Sequence, residues 1–283
     1  MSDKPIIAFQ GMPGAYSEQA SREKIPEGSY LSCKSFEDVF VAVEEGRAKI
    51  GMIPVENSMA GVVSDSYDLL AQQNLHIIGE HFLSVRHALL ALPGASITDI
   101  QSVYSHPQAL AQCHSFLKSH PWERMSVYDT AGAAKDLVVR GRLDEAAVAS
   151  ALCSELYGLD ILAREIQDSH MNTTRFILVS REPQDPPPGV PCKTSLIFEV
   201  RNIPAALYKC LGGFATNGVN LTRLESRPVA EKQWSYHFYL DFQGRPKEAA
   251  CRLAMEELEF YTTSLKVLGC YPESPQPEVV IEG

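Results

Sequence analysis

The chain has 283 residues, enough for two domains, and its content of 45% hydrophobic and 21% charged residues is that of an ordinary globular protein. A formal net charge of −10, without a run of lysine and arginine, argues against a nucleic-acid surface. No apolar run approaches a membrane span, and the first residues lack the apolar core of a signal peptide. We therefore expect a cytoplasmic protein with neither a nucleic-acid nor a membrane partner.

The cysteines and histidines predict neither disulfides nor a metal site. The seven cysteines are scattered, odd in number and never spaced as Cys-x-x-Cys, which favours reduced thiols. The eight histidines form no pair at metal-ligand spacing. Clues to function must therefore come from other polar motifs.

The first predicted unit is a strand at residues 6–10, a glycine turn at 11–14 and a helix that opens at 15–18. A strand, a glycine turn and a helix amino terminus can together bind an anion. Many α/β turns, however, use glycine only to bend the chain. Gly14, Tyr16 and Ser17 are the candidate binding residues of this segment.

A second polar group follows the next predicted strand. A helix capped by Ser35 and Asp38 leads to an apolar strand at 50–53. Glu56, Asn57 and Ser58 then supply three consecutive hydrogen-bonding side chains. They form either part of a ligand site or a turn with a cap.

The same order of strand, polar group and helix occurs twice more. Strand 102–104 leads through residues 105–108 into a helix containing Leu110, Cys113 and Leu117, with Pro107 in its first turn. A strand at 127–128 leads through Asp129 and Thr130 into helix 131–138, and a buried strand follows at 146–149.

Alternating strands and helices predict a mainly parallel sheet, which binds ligands outside the carboxyl ends of its strands. The four polar groups, including His106, Gln108, Asp129 and Thr130, are therefore expected on one rim. Helix amino termini, hydroxyls and amides there would suit a small carboxylate. His106 alone fits a helix cap as well as it fits catalysis.

Residues 171–176 form the densest polar group and precede a buried strand at 176–179. Thr173, Thr174 and Arg175 bring two hydroxyls and a guanidinium to the start of a rigid element, where they could contact a ligand. The same residue types are also common in loops and caps. The two interpretations remain open from these residues alone.

A second domain is predicted after the proline-rich segment 182–191, whose five prolines favour an extended linker. Strand residues at 196–200, a helix at 204–217 and an extended segment at 219–227 come next. Alternating apolar residues from Trp234 to Phe242 predict another strand, before a helix at 250–261 and a strand at 265–268. The order βαββαβ is ferredoxin-like.

Taken together, these motifs resemble prephenate dehydratase joined to a C-terminal ACT regulatory domain, over nearly the whole chain. The resemblance rests on residues 11–17, 54–58, 105–110, 129–131 and, above all, 172–176. It implies a catalytic domain at 1–181 with two α/β lobes similar to periplasmic binding proteins. Lobe one would comprise about 1–80 and 170–181, and lobe two about 81–169. A linker at 182–192, an α+β ferredoxin-like ACT domain at 193–272 and a loose tail at 273–283 would follow.

The family's reaction converts prephenate to phenylpyruvate, water and carbon dioxide. Formation of the aromatic ring drives this reaction, so the resemblance implies no cofactor. The family's essential threonine, directly before Arg-Phe, corresponds to Thr174, which we expect to donate a hydrogen bond or relay a proton to the departing hydroxyl. A protonated Glu56 is a hypothesis for the ultimate acid.

The substrate-binding residues implied by the resemblance are Gly14, Tyr16, Ser17, Asn57, Ser58, His106, Gln108, Thr173 and Arg175. Helix amino termini near Ser17 and Ser58 are expected to hold the pyruvyl carboxylate, because tight binding of the ring carboxylate would oppose its loss. Arg175 could clamp a carboxylate or brace its loop.

The ACT resemblance implies feedback inhibition by L-phenylalanine bound between paired ACT domains, and hence a homodimer or homotetramer. The implied binding residues are Asn202, Pro204, Ala206, Leu207, Glu225, Ser226, Arg227 and Pro228. Two positions depart from the family pattern. Ala205 stands where the family usually has glycine, adding a methyl group at the turn, and Ala15 stands where it usually has threonine.

Three alternatives remain open. Arogenate dehydratase performs the same elimination on the amino acid that corresponds to prephenate. A non-catalytic protein that binds small carboxylates is a second alternative, because two-lobed folds also capture solutes. A regulatory amino-acid sensor is the third, although the intact Thr-Arg-Phe motif speaks against it.

Overall fold

In a computed structural model of the chain, residues 4–229 and 235–275 are described. They form two compact units. The first contains the residues up to Tyr67 and His81–Phe176, and the second contains Asp68–Glu80 and Ile177–Pro275. Trp234 and most of the predicted tail lie outside the described residues. Among the described helices, none combines the length and apolarity needed to cross a membrane.

The first sheet has the strand order β2-β1-β3-β11-β5, with β4 paired to β3. Its strands and the helices that connect them are β1 (Ile6–Gln10), α1 (Tyr16–Lys24), β2 (Ser29–Cys33), α2 (Phe36–Glu44), β3 (Ile50–Asn57), β4 (Gly61–Val62), α3 (Ser64–Gln72), β5 (His76–Ser84) and β11 (Thr173–Ser180). β1 runs parallel to both β2 and β3. The predicted cap of α2 is confirmed, because Ser35 and Asp38 form a reciprocal capping box.

The second sheet has the order β10-β6-β9-β7-β8. Its elements are β6 (Ala88–Ala91), β7 (Ser102–Ser105), α4 (Pro107–Gln112), α5 (His114–Lys118), β8 (Glu123–Ser126), α6 (Thr130–Arg140), β9 (Glu145–Ala149), α7 (Leu152–Tyr157) and β10 (Asp160–Ala163). β7 is parallel to β8 and β9, as predicted. β6 is antiparallel to β9 and β10, so the sheet is mixed.

Two local predictions in this region are wrong. The helix expected through Leu110, Cys113 and Leu117 is broken at Cys113, whose φ of −112° and ψ of 25° separate α4 from α5. All three side chains still pack in one buried cluster, so their spacing alone could not reveal the break. Tyr128 was expected in a strand, but β8 ends at Ser126 and Tyr128 is 87% exposed.

The second unit contains the predicted βαββαβ order: β12 (Cys192–Val200), α8 (Ala206–Thr216), β13 (Leu221–Pro228), β14 (Tyr236–Gln243), α9 (Ala249–Tyr261) and β15 (Thr262–Pro272). The sheet order is β13-β14-β12-β15. Leu240 and Phe242 pack in the core, as their alternation predicted. Tyr239 and Asp241 on the opposite face are buried as well. Asp241 accepts a 2.5 Å hydrogen bond from the hydroxyl of Ser195, so this face is buried in polar contacts.

Ala205, which precedes α8, has φ 59° and ψ 24°, in the left-handed region. Its methyl group is exposed, so packing does not offset a backbone cost of roughly 1–2 kcal/mol for an L residue. We expect Ala205→Gly to raise the free energy of unfolding by about 1 kcal/mol in urea titrations, after allowance for the greater unfolded-state freedom of glycine. Ala215→Gly, at an exposed helical position in α8, should lower it by about the same amount. Destabilisation by both variants would contradict the prediction.

Candidate active site

A cavity of about 360 Å³ lies within the first unit and is lined by residues of both its sheets and their helices. Its apolar lining comes from Pro54, Ala60, Val63, Val85, Ala109 and Phe176. The polar lining residues are Gln10, Tyr16, Ser17, Asn57, His87, His106, Gln108, Gln112, Asp129, Thr130, Asn172 and Thr174. Each of the four motifs that were expected on one rim therefore contributes to one cavity.

The alternation of side chains along β11 selects Thr174 for the cavity. Asn172, Thr174 and Phe176 are two residues apart and all line the cavity, as expected for one face of an extended chain. Thr173 and Arg175 are not lining residues, because they lie on the opposite face. Arg175 is 8% exposed. The geometry therefore offers Thr174, and neither Thr173 nor Arg175, to a ligand in this cavity.

Asn57 fixes the hydroxyl of Thr174. The Nδ2 atom of Asn57 donates to Thr174 Oγ1 at 2.9 Å and to Asn172 Oδ1 at 2.8 Å. Its Oδ1 atom accepts from the backbone N–H groups of Met59 and Ala60 at 3.0 and 2.8 Å, which sets the orientation of the amide. Because Thr174 Oγ1 accepts this bond, the hydroxyl proton of Thr174 remains available to a ligand.

Tyr16, His87 and Gln112 form a second hydrogen-bonded group in the cavity wall. Tyr16 Oη lies 2.6 Å from His87 Nδ1 and 3.0 Å from the carbonyl oxygen of Arg86. His87 Nε2 lies 2.8 Å from Gln112 Oε1. A neutral His87 with its proton on Nε2 donates to Gln112 and accepts from Tyr16, whose single proton is shared between His87 Nδ1 and the more distant Arg86 carbonyl oxygen. The Nε2 amide group of Gln112 is then left as a donor.

The pKa shifts support this protonation state. Burial lowers the pKa of His87, although the hydrogen bond to Gln112 opposes the shift. Burial also raises the pKa of the Tyr16 hydroxyl well above its ordinary value. Both groups are therefore neutral at neutral pH.

The lowered pKa of His87 predicts a loss of stability in acid. Below about pH 6.5 the unfolded chain gains a proton at His87 that the folded chain resists, so the unfolding free energy should fall as the pH decreases. His87→Gln should weaken this dependence in urea titrations between about pH 6.5 and 5. His114→Gln, at an exposed position, should leave it unchanged. Equal pH dependence in wild type and His87→Gln would contradict the prediction.

Three helices begin at the cavity, with different caps. α1 begins at Tyr16, and its N-cap residue Ala15 provides no side-chain hydrogen bond. α4 is capped by His106, whose Nδ1 accepts from the N–H of Gln108 at 3.2 Å. α6 is capped by the carboxylate of Asp129, which accepts from the N–H of Gly132 at 2.5 Å. The amino terminus of α1 has no side-chain cap from Ala15, although the Glu18 carboxylate of its first turn accepts from the N–H of Gly14 at 2.7 Å, whereas the terminus of α6 is capped directly by a carboxylate.

Two of the predicted binding residues fasten the backbone instead of lining the cavity. Gly14, at φ 91°, is buried, and an added Cβ would lie 2.5 Å from Cys153 Sγ. Its N–H donates to Glu18 Oε2 at 2.7 Å. Ser58 lies in a turn before β4, so the helix terminus expected near it is wrong. The Ser58 hydroxyl donates to the carbonyl of Met171 at 2.7 Å and accepts from the N–H of Thr173 at 3.0 Å.

Glu56, the hypothesised acid, is also absent from the cavity lining. It lies within β3 and pairs with Val62 of β4. Its side chain is half-buried, and its role as the ultimate acid stays a hypothesis.

The predicted phenylalanine-binding residues lie in the second unit. Asn202 and Pro204 lie in the loop before α8, Ala206 and Leu207 begin that helix, and residues 225–228 end β13. The guanidinium of Arg227 is engaged by both carboxylate oxygens of Asp68, at 3.1 and 3.0 Å. A cavity of about 680 Å³ in this unit is lined by other residues, among them Pro186, Arg245 and Gly269.

The sequence analysis missed His87, Gln112 and Gln10, and it included Asn172 in the polar motif without assigning it to the site. A signal existed for two of them. Gln112 lies four residues after Gln108, on the same helical face. His87 directly precedes the apolar strand β6, in the same position relative to a strand as Asn172 before β11. Neither signal marks an isolated residue as functional without the long-range contacts of the fold.

The fold is α/β, and its cavity presents the Thr174 hydroxyl among polar and apolar side chains. Residues 7–184 match the prephenate dehydratase family. The chain is 44% identical to a bifunctional N-acyl-homoserine lactone acylase/prephenate dehydratase of Komagataeibacter europaeus, over 97% of this chain and 98% of that one. It is 42% identical to arogenate dehydratase/prephenate dehydratase 2 of Arabidopsis thaliana, over 94% of this chain and 72% of the relative.

A solved structure gives the same result. Prephenate dehydratase from Arthrobacter aurescens in complex with L-Phe superposes with a TM-score of 0.86 and 31% identity, covering 97% of this chain and 92% of that one. The chain belongs to the prephenate dehydratase family and is therefore an enzyme of phenylalanine biosynthesis, a carbon–oxygen lyase.

Proposed function

We propose that the cavity binds prephenate and that Thr174 assists loss of its ring hydroxyl. The observation that carries this proposal is the hydrogen bond from Asn57 to Thr174 Oγ1, because it leaves the Thr174 proton to the departing oxygen. The bond from the ring carbon to the hydroxyl breaks, and the departing oxygen takes up one proton, relayed by the Thr174 hydroxyl and replaced from solvent, so that it leaves as water. The electron pair of the bond to the ring carboxylate completes the aromatic ring, and that carboxylate leaves as carbon dioxide.

The rest of the cavity supports orientation of the substrate. The uncapped amino terminus of α1, beside Ser17, suits the pyruvyl carboxylate. The apolar side chains of Val85 and Phe176 suit the ring. Among the described lining residues there is no lysine or arginine, which leaves the ring carboxylate without a cation that would oppose its loss.

The direct test is to incubate the purified chain with prephenate and to measure the formation of phenylpyruvate. Saturable loss of carbon dioxide with appearance of phenylpyruvate is expected. Saturable binding without turnover would instead support the binding-protein alternative. Arogenate should be assayed in parallel, because its product is phenylalanine.

We also infer that residues 193–272 form an ACT domain that binds L-phenylalanine, joined through the linker at 182–192 to a two-lobed catalytic domain at 1–181. Support comes from the βαββαβ order. It also comes from the relative whose structure was solved in complex with L-Phe and which aligns with nearly the whole of this chain. β13 is an edge strand and Leu224 on it is 42% exposed, which suits a homodimer or homotetramer. Light scattering and prephenate turnover, each with and without phenylalanine, test assembly and inhibition.

Hydrolysis of N-acyl-homoserine lactones is a second candidate function. It is favoured by the relative that carries this activity in its name and matches the chain over almost its full length. Burial raises the pKa of Cys153 to about 11 and that of Cys113 to about 12, so neither thiol is a ready nucleophile. Release of homoserine lactone from an N-acyl substrate, measured with the same preparation, tests this function separately.

A cytoplasmic location stays a prediction. It rests on the sequence and on cysteines that all remain unpaired among the described residues. Fluorescence microscopy of the tagged chain in its own cell would test it.

A further inference from the structure

Asp129 gives the cavity a charge that the elimination itself does not need. Among the described lining residues it is the one acidic side chain, and none of those residues is a lysine or an arginine. Prephenate brings two carboxylates and a keto group. A lone carboxylate in the wall of a site for a dianion repels that ligand, and partial exclusion of water strengthens the repulsion.

Arogenate resolves this mismatch. It differs from prephenate by an ammonium group in place of the keto oxygen, so its net charge is −1 instead of −2. We propose that Asp129 determines the use of arogenate in this cavity by pairing with that ammonium group. The proposal rests on the proposed function and specifies the substrate that the same site prefers.

Two of the three helix termini at the cavity fit the two charges of an α-amino acid. The substrate carboxylate would lie at the amino terminus of α1 beside Ser17, which has no side-chain cap and where the helix dipole favours an anion. The ammonium group would pair with the carboxylate of Asp129, which caps α6. A keto acid would bind at the amino terminus of α1 but would leave the carboxylate of Asp129 without a partner in the ligand.

Capping of α6 does not by itself explain why residue 129 is an aspartate and not another capping residue. Asparagine and serine cap helices about as well as aspartate does, and the bond to Gly132 needs only one acceptor oxygen. The charge is therefore available for a second role, and capping and charge can be separated by substitution. Asp129→Asn keeps the shape and the cap and removes the charge.

The experiment compares kcat/KM for arogenate and prephenate in wild type and in Asp129→Asn. We expect the wild type to use both substrates. In Asp129→Asn, kcat/KM for arogenate should fall at least tenfold while that for prephenate stays the same or rises, so that their ratio changes at least tenfold. Asp136→Asn, at an exposed position of the same helix, should leave the ratio unchanged. Asp129→Ser provides the same test if Asp129→Asn folds poorly.

The possible failures are distinguishable. An unchanged ratio in Asp129→Asn, or equal losses with both substrates, would overturn the role of Asp129. Turnover of prephenate but not of arogenate by the wild type would overturn it as well, while the proposed function would stand. Turnover of neither substrate by a folded wild type would overturn the proposed function itself.

Discussion

Replacement of Thr174 by alanine is expected to lower kcat for prephenate by about a hundredfold or more, with a much smaller change in KM. A donor that meets the departing oxygen acts mainly in the transition state, and removal of one such donor typically costs this much. The Asn57 amide would lose one of its two close acceptors, but Asn172 would still hold it. Steady-state assays of phenylpyruvate formation give both constants.

The neighbouring threonine supplies a matched control. Thr173→Ala removes the same hydroxyl from the opposite face of β11 and keeps the backbone bonds of residue 173 to Ser58. It should retain kcat within a few-fold. Thr174→Ser, which keeps the hydroxyl, should recover most of the activity. Near wild-type turnover by a folded Thr174→Ala, or equal losses in the two alanine variants, would refute the assignment to Thr174.

The contrast between Thr173 and Thr174 shows what the sequence could and could not predict. The apolar run from Phe176 identified a strand, but its polar start could not be divided into faces until the first residue of β11 was known. Once β11 begins at Thr173, the period of two places Thr174 beside Asn172 and Phe176. The resemblance to the family selected the same residue without this physical reason.

Motifs with local signals were predicted well. The capping box of Ser35 and Asp38, the glycine turn before α1 and the βαββαβ order depend on neighbours in the sequence, and each is present. Gly14 and Ser58 were predicted to bind the substrate, and neither lines the cavity. Contacts from Cys153 and Met171, more than 100 residues away, show that they hold segments together.

The hydrogen-bonded group of Tyr16, His87 and Gln112 could not be predicted from the sequence, again because it depends on long-range contacts. Its members are 71 and 25 residues apart and belong to different elements. No periodicity links them, and His87 has no polar neighbour that would mark it, apart from Arg86. Only the packing of the two sheets of the first unit brings the three side chains to one cavity.

Loss of the Tyr16 hydroxyl is expected to lower kcat/KM for prephenate by about tenfold to a hundredfold. Tyr16→Phe leaves the buried Nδ1 of His87 without its donor, at a cost of about 1–3 kcal/mol for an unsatisfied buried group. His87 could then adopt its other tautomer, and the Gln112 amide would lose the partner that orients its donor group. Tyr157→Phe provides the control, because its hydroxyl bonds the Pro13 carbonyl at 2.6 Å and Tyr157 is not a lining residue. That variant should keep kcat/KM within about twofold.

A double-mutant cycle tests whether Tyr16 acts through Gln112. If the chain of bonds is the mechanism, Tyr16→Phe should cost much less in a Gln112→Ala background than in the wild type, because the orientation that it disturbs is already lost. A merely structural role would give independent, additive losses, and it would lower stability in parallel with activity. Kinetics of the four proteins, together with their urea midpoints, therefore separate positioning from structural support. Additive effects of the two substitutions on kcat/KM would show that Tyr16 affects turnover independently of the hydrogen bonds through His87 to Gln112.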